Sequence, residues 1–197
     1  MTMRIAGAAL IVGVVLGCTG NAADSQIVED RPRHQFVECR DVIDIVSDEL
    51  LGHGYMAYGA GGGFIALPSR QLQLGRSGPE GSGYEDYRFA KFGLLVRRSQ
   101  QASLAIVKAP GRAFLEYGRV EFGSADALTA GPCDSHGPAC EVGSAEYVGG
   151  WPCGADRGEW IVWAGGIWVD ERGCVDVLAS SGEEEIPIPL AVGTSCN

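Results

Sequence analysis

The stretch Ile186-Pro187-Ile188-Pro189-Leu190-Ala191-Val192 decides the fold. Its apolar residues Ile186, Ile188, Leu190 and Val192 recur at every second position, which places them on one face of a β-strand. Pro187 and Pro189 lie between them. Neither can donate a backbone hydrogen bond, and their nitrogens point to the same side of the strand. Such a strand pairs through one edge only, so it belongs at the rim of a sheet and is closed to any further strand. Its hairpin partner is Cys174-Val175-Asp176-Val177-Leu178-Ala179, joined to it by the loop 180–185.

Working outward, the same period recurs. In 87–97 the residues Phe92, Leu94 and Val96 form one apolar face. Residues 101–108 carry Leu104 to Val107, Pro110-Gly111 makes a turn, and 113–117 returns. Two short strands, 64–67 and 72–74, are separated at Pro68. Residues 145–148 and 160–169 supply further strands, and 76–87 and 126–143 read as long loops. Segment 41–51 stays open. Its β-branched residues favour a strand, while Val42, Val46 and Leu50 behind an Asp41 N-cap fit a short helix. The expected fold is mainly all-β, a disulfide-stapled β-sandwich or partly closed barrel, with at most that one short helix.

The N-terminus carries a different signal. Arg4 is followed by an uncharged apolar run from Ile5 to Leu16, a length that fits a secretory h-region and is too short to span a bilayer. The run ends in Val15-Leu16-Gly17-Cys18, which resembles the bacterial lipobox. Leu16 departs from the Ala or Ser usual at that position. The resemblance implies cleavage before Cys18, lipidation of its thiol, and a protein held at the cell membrane facing outside the cytoplasm. Two acyl chains anchor stably where one does not. The expected organisation is a signal peptide at 1–17, a polar lipid-anchored tether at 18–35 and a single β-rich domain at 36–197.

Charge narrows the partners. The chain has 15 Lys and Arg against 25 Asp and Glu, a formal −10. Residues 1–17 contain one charge, Arg4, so their removal leaves −11. An acidic surface disfavours nucleic acid and anionic polymers. The expected partners are the membrane, through the Cys18 lipid, and an envelope glycan or another exported protein.

Besides Cys18 there are six cysteines: Cys39, Cys133, Cys140, Cys153, Cys174 and Cys196. An even number in an exported chain argues for disulfides, and six permit 15 pairings. Short loops close most readily, which favours Cys133–Cys140 and Cys174–Cys196 and leaves Cys39–Cys153.

Signals for chemistry are weak. Cys133, His136 and Cys140 have metal-ligand spacing, but zinc needs reduced thiolates and a fourth ligand, so a disulfide is the better reading. No metal or cofactor is expected. No G-x-S-x-G, S-x-x-K or H-E-x-x-H motif is present, and 59–63 lacks the spacing of a phosphate loop. The expectation is a non-enzymatic binding module, with an envelope hydrolase as the alternative.

Aromatic residues are the remaining lead. All four Trp fall between Trp151 and Trp168, with Tyr147 nearby. Alternation turns Trp163 to the side of Ile161 and Trp160 to the side of Val162. Trp163 is expected in the core. Trp160 is expected to be partly exposed near Trp151, so that Trp151, Trp160 and Tyr147 form a candidate binding patch. The motifs Ala90-Lys-Phe-Gly-Leu-Leu-Val-Arg97, Ala164-Gly-Gly-Ile-Trp-Val169 behind Trp160, Cys174 and Gly193-Thr-Ser-Cys196 are similar to those of uncharacterised exported actinobacterial domains. That resemblance implies a compact β domain and no particular activity.

Overall fold

The computed structural model describes residues 33–98, 100–118, 125–133, 147–148, 151–152 and 159–196. The strands among them are β1 (His34–Val37), β2 (Val42–Val46), β3 (Tyr55–Tyr58), β4 (Ile65–Pro68), β5 (Leu74–Ser77), β6 (Arg88–Arg97) and β7 (Ala102–Lys108). They continue with β8 (Ala113–Tyr117), β9 (Ala127–Ala130), β10 (Tyr147–Val148), β11 (Trp151–Pro152), β12 (Trp160–Val169), β13 (Gly173–Ser181) and β14 (Glu184–Val192).

Two sheets form a β-sandwich that does not close into a barrel. One has the order β1-β9-β7-β13-β14. The other is built on the long antiparallel pair β12 and β6. Strand β12 takes β2 and then β8 along its far side, while β6 takes β4, backed by β3, and then β5. Strand β1 runs parallel to β9, and the other ladders are antiparallel.

The alternation read in the sequence fills the space between the sheets. Phe92, Leu94 and Val96 from β6 meet Leu104, Leu128, Val177, Ile188 and Leu190 from the facing sheet, all nearly inaccessible to solvent. Strand β14 lies at a sheet edge, as its prolines require, with Pro187 and Pro189 exposed. Its turn is tighter than expected. The pairing runs to Ser181 opposite Glu184, leaving Gly182-Glu183 as a two-residue loop. Gly182 has φ 60°, which suits the first central position of a type II′ hairpin.

Several expectations change. Segment 41–51 is not an α-helix: Val42–Val46 is a strand, followed by a 3-10 turn at Asp48–His53 that stops at Gly54, φ 116°. Residues 113–117 do not return beside 102–108. Strand β7 pairs in the five-stranded sheet and β8 in the other, so Pro110-Gly111 carries the chain between layers. The expected loop 126–143 contains β9, whose four residues are all buried. His34 and Gln35, expected at the end of a tether, belong to β1. Cys18 and the lipobox lie outside the described residues, as do Cys140 and Cys153.

Candidate functional site

Trp160 does not take the partly exposed place expected of it. Trp163 is fully buried beside Ile161 in the main core, its indole N–H donating to the Glu38 carbonyl at 3.1 Å. Trp160, on the opposite face, is also 0% exposed. The reason is a cover the sequence does not announce. The 3-10 turn Asp48–His53 lays Leu51 over a second small core of Val46, Ala66, Leu95 and Trp160. The Trp160 N–H donates to the Asp48 carboxylate at 2.6 Å, and the Arg97 guanidinium stands 4.8 Å above the ring. Trp160 is therefore corrected from a binding residue to a buried one. Tyr147 and Trp151 lie in the two-residue ladder of β10 with β11, where Val148 opposes Trp151 and Tyr147 opposes Pro152.

The 59–63 glycine cluster acquires a structural account. Gly59, Gly61, Gly62 and Gly63 all have positive φ, which only glycine adopts without strain. This conformation aims two carbonyls at Arg97, which donates Nε–H to Gly63 O at 2.8 Å and an Nη2–H to Gly62 O at 2.9 Å while pairing with Glu159. The loop thus holds the cation that covers Trp160.

The lower half of the same outer face is built likewise. Tyr87, Phe114 and Trp168 are buried together, with Phe89 packed against them. Arg76 lies 4.9 Å from the Phe89 ring centre and 5.0 Å from that of Trp168, and it pairs with Glu116 at 3.0 Å. Arg112 covers Tyr87 at 5.2 Å and pairs with Asp170 at 3.0 Å. The adjacent Gly165 and Gly166 make room on both sides of β12. A Cβ on Gly165 would overlap the Glu116 carbonyl oxygen and the Tyr117 ring; one on Gly166 would overlap the Ala90 carbonyl oxygen and crowd Phe89.

Disulfide pairing also differs from the short-loop expectation. Cys39 bonds Cys133, with Cα atoms 5.7 Å apart, so neither Cys133–Cys140 nor Cys39–Cys153 forms. Two sequence-distant cysteines meet because β1 and β9 are paired neighbours and each runs directly into its cysteine. Cys174 and Cys196 do bond, with Cα atoms 5.0 Å apart. With Cys133 oxidised, the Cys133/His136/Cys140 metal reading loses a thiolate. Among the described residues, no group of three or more His, Cys, Asp or Glu is placed to hold a metal.

Among the described residues, the buried atoms Tyr117 Oη and Gln35 Oε1 have no hydrogen-bond partner. Burial pushes the Tyr117 hydroxyl well above the ordinary tyrosine range, and the neighbouring Tyr55 hydroxyl adds to this. Burial also raises Tyr55, opposed by the Gly93 N–H that donates to its oxygen at 2.8 Å.

Exposed apolar side chains occur on both sheets: in the sheet of β6 and β12, Ile43 is 57% and Met56 52% exposed. On the outer side of the five-stranded sheet, Phe36 is 69% and Val107 56% exposed. Leu178, Pro187 and Pro189 face the same way by alternation with buried Val177, Ile188 and Leu190. Next to Phe36, His34 Nε2 is 2.9 Å from Thr129 Oγ1, which is 2.6 Å from Ser103 Oγ. The His34 and Phe36 rings meet edge to face at 4.9 Å. Sequence reasoning missed this surface because His34 and Gln35 read as tether, although the His-Gln-Phe-Val alternation was there to be seen. No family model and no curated protein matches the chain.

Proposed function

We propose that this chain is a lipid-anchored protein facing outside the cytoplasmic membrane, where it acts as a non-enzymatic module that binds an envelope component. The apolar run ending in Val15-Leu16-Gly17-Cys18 supports the anchor. The pairs Cys39–Cys133 and Cys174–Cys196 suit an oxidising compartment.

The binding reading is carried by the outer face of the five-stranded sheet. A solvated antiparallel face ordinarily alternates to polar residues. Here the outward positions mix exposed Phe36, Val107, Pro187 and Pro189 with polar His34, Ser103, Ser180 and Glu185. The opposite layer covers its own aromatics with Arg76, Arg97 and Arg112, while Ile43 and Met56 stay exposed in it.

Two measurements test the reading. Radiolabelled fatty acid is expected to enter the wild-type chain and not Cys18→Ser; label in the variant would remove the anchor. The protein is expected to co-sediment with isolated cell envelopes in a saturable way, and no saturable binding would remove the module.

A further inference from the structure

We propose that strand β1 is a self-docking edge: two copies of this chain pair antiparallel along it, about a two-fold axis at Gln35, and join their five-stranded sheets into one. The partner is a second copy of the chain, so the inference stands apart from any envelope ligand.

The free edge follows from the hydrogen bonding of β1. Arg33 O accepts from the Ala127 N–H at 3.2 Å, so Arg33, Gln35 and Val37 turn their backbone groups toward β9. Backbone groups alternate sides along a strand, so the N–H and C=O of His34 and Phe36 point away from β9. Among the described residues no hydrogen bond reaches these four groups. Such a row is a template for another strand, and folded proteins ordinarily guard it with charge or proline. The opposite edge of the same sheet is guarded. Strand β14 carries Pro187 and Pro189, and Leu72 exchanges hydrogen bonds with Ala191 and Gly193 beyond them. His34–Val37 contains no proline, lysine, arginine or carboxylate.

The symmetry of that row selects the second copy. In a two-fold antiparallel pairing centred on Gln35, His34 lies opposite the partner's Phe36, and Phe36 opposite the partner's His34. Both are hydrogen-bonded pairs, so the four free groups of one copy meet the four of the other in four bonds. Centring on Phe36 instead sets His34 opposite the partner's Glu38. The Glu38 carbonyl already accepts from Trp163 Nε1–H and from the Asp41 N–H. The Gln35 register also sets each His34 ring beside the partner's Phe36, a pairing of rings that each chain makes internally at 4.9 Å. Phe36 is 69% exposed in the single chain, the highest value for a large apolar side chain among the described residues.

A second observation falls on the same axis. Gln35 Oε1 is buried without a donor, while Gln35 Nε2 spends one hydrogen on Tyr117 O at 3.5 Å. At the axis the two Gln35 residues face each other as a non-hydrogen-bonded pair, with Cα atoms about 4.5 Å apart. Their amides then lie side by side, and the remaining Nε2 hydrogen of each can meet the other's Oε1. Strand β3, an edge of the other sheet, has no such unpartnered buried side chain among the described residues. The contact also closes on itself. An isologous pair uses both β1 edges and leaves the two proline-guarded β14 strands outermost. Each copy carries a formal −10, and none of that charge lies on His34–Val37, so the copies meet where repulsion is least.

The test uses the full chain in density-matched detergent, followed by sedimentation equilibrium. A join this short lies below the about 1,200 Å² of stable complexes, so half of the chains should be dimeric on the order of 0.1 mM. His34→Pro removes one edge N–H from each copy and leaves the bonds to β9 in place. Two of the four joining bonds are lost, so the dissociation constant should rise about tenfold or more. His34→Ala loses the same ring and keeps the N–H, and it should weaken the dimer less than His34→Pro does. Unaltered melting temperatures show that both variants fold. Residue-resolved hydrogen exchange of the wild type needs no variant. The His34 and Phe36 amides should slow about tenfold between about 10 μM and about 1 mM, while those of Gln35 and Val37, turned toward β9, should not. A chain that stays monomeric over that range, or exchange at His34 and Phe36 that ignores concentration, overturns the proposal. So does a dimer indifferent to His34→Pro, and so does one lost in Ala57→Pro instead, which places the join on the edge of β3. Assembly that continues past a dimer also overturns it, because an isologous contact is exhausted at two copies.

Discussion

Replacing Trp160 by Ala removes the largest side chain of the small outer core formed with Val46, Ala66 and Leu95. Truncating a buried Trp costs about 3–5 kcal/mol through lost transfer energy and the cavity left behind. Two further interactions go with the ring. The N–H bond to Asp48, 2.6 Å long, contributes about 1 kcal/mol, at the low end for a charged acceptor because Asp48 is itself solvent-exposed. The Arg97 stack contributes about 0.5–1 kcal/mol. These contributions overlap, so the expected loss is about 4 kcal/mol, close to that for Trp163→Ala in the main core. Urea unfolding followed by far-ultraviolet circular dichroism measures both variants on one scale. A Trp160→Phe and Asp48→Ala double-mutant cycle should give a coupling of about 1 kcal/mol. A Trp160→Ala loss below about 1 kcal/mol, which is usual for an exposed position, would refute the claim that Asp48–His53 seals this face. Independent effects in the cycle would refute the hydrogen bond.

Three other outcomes follow from the interior. Non-reducing peptide mapping should recover Cys39–Cys133 and Cys174–Cys196; by loop entropy, losing the first bond, which spans 94 residues, should cost about 4–5 kcal/mol and losing the second about 3. Gly165→Ala should lower stability by about 3 kcal/mol, the upper range for overpacking, because the new methyl meets a backbone carbonyl as well as the Tyr117 ring; an unchanged urea midpoint would contradict the close approach. Tyr117→Phe should be neutral or stabilising by up to about 1 kcal/mol at pH 7, since it removes an unpartnered buried hydroxyl. The folded-state pKa of Tyr117 is raised, so the native chain retains its proton where the unfolded chain loses it. Its stability contribution is therefore complete below about pH 10, the unfolded value, and falls as pH climbs further. Tyr117→Phe should flatten that alkaline decline in a pH series of unfolding midpoints, and an identical decline in both proteins would count against it.

What was legible depended on whether a signal is local. Strands β6 and β14 could be read because alternation is written within each one, β12 because its apolar run is unbroken, and the prolines of β14 announce an edge. Strand β9 was hidden because Ala-Leu-Thr-Ala is short and sits among Asp, Gly, Pro and Cys, which signal loops. The Pro110-Gly111 turn looks the same whether the chain folds back beside itself or crosses to the other sheet. The burial of Trp160 depends on a cover 112 residues away in sequence, and Cys39 meets Cys133 only because β1 adds to β9. Of the candidate patch, Trp160 failed for that reason, while Phe36 was overlooked beside a polar segment.

The Cys39–Cys133 bond also has a mechanical consequence. Strand β1 is an edge strand, and a pull applied through the N-terminal segment meets it first. Residues 33–38 can peel away, freeing a segment about 20 Å long at the roughly 3.3–3.6 Å per residue of an extended backbone. The slack then ends abruptly at Cys39, where a covalent link passes the load to Cys133, just beyond the far end of β9. The domain can therefore yield under tension by one short strand while β9 and the strands beyond it keep their pairing.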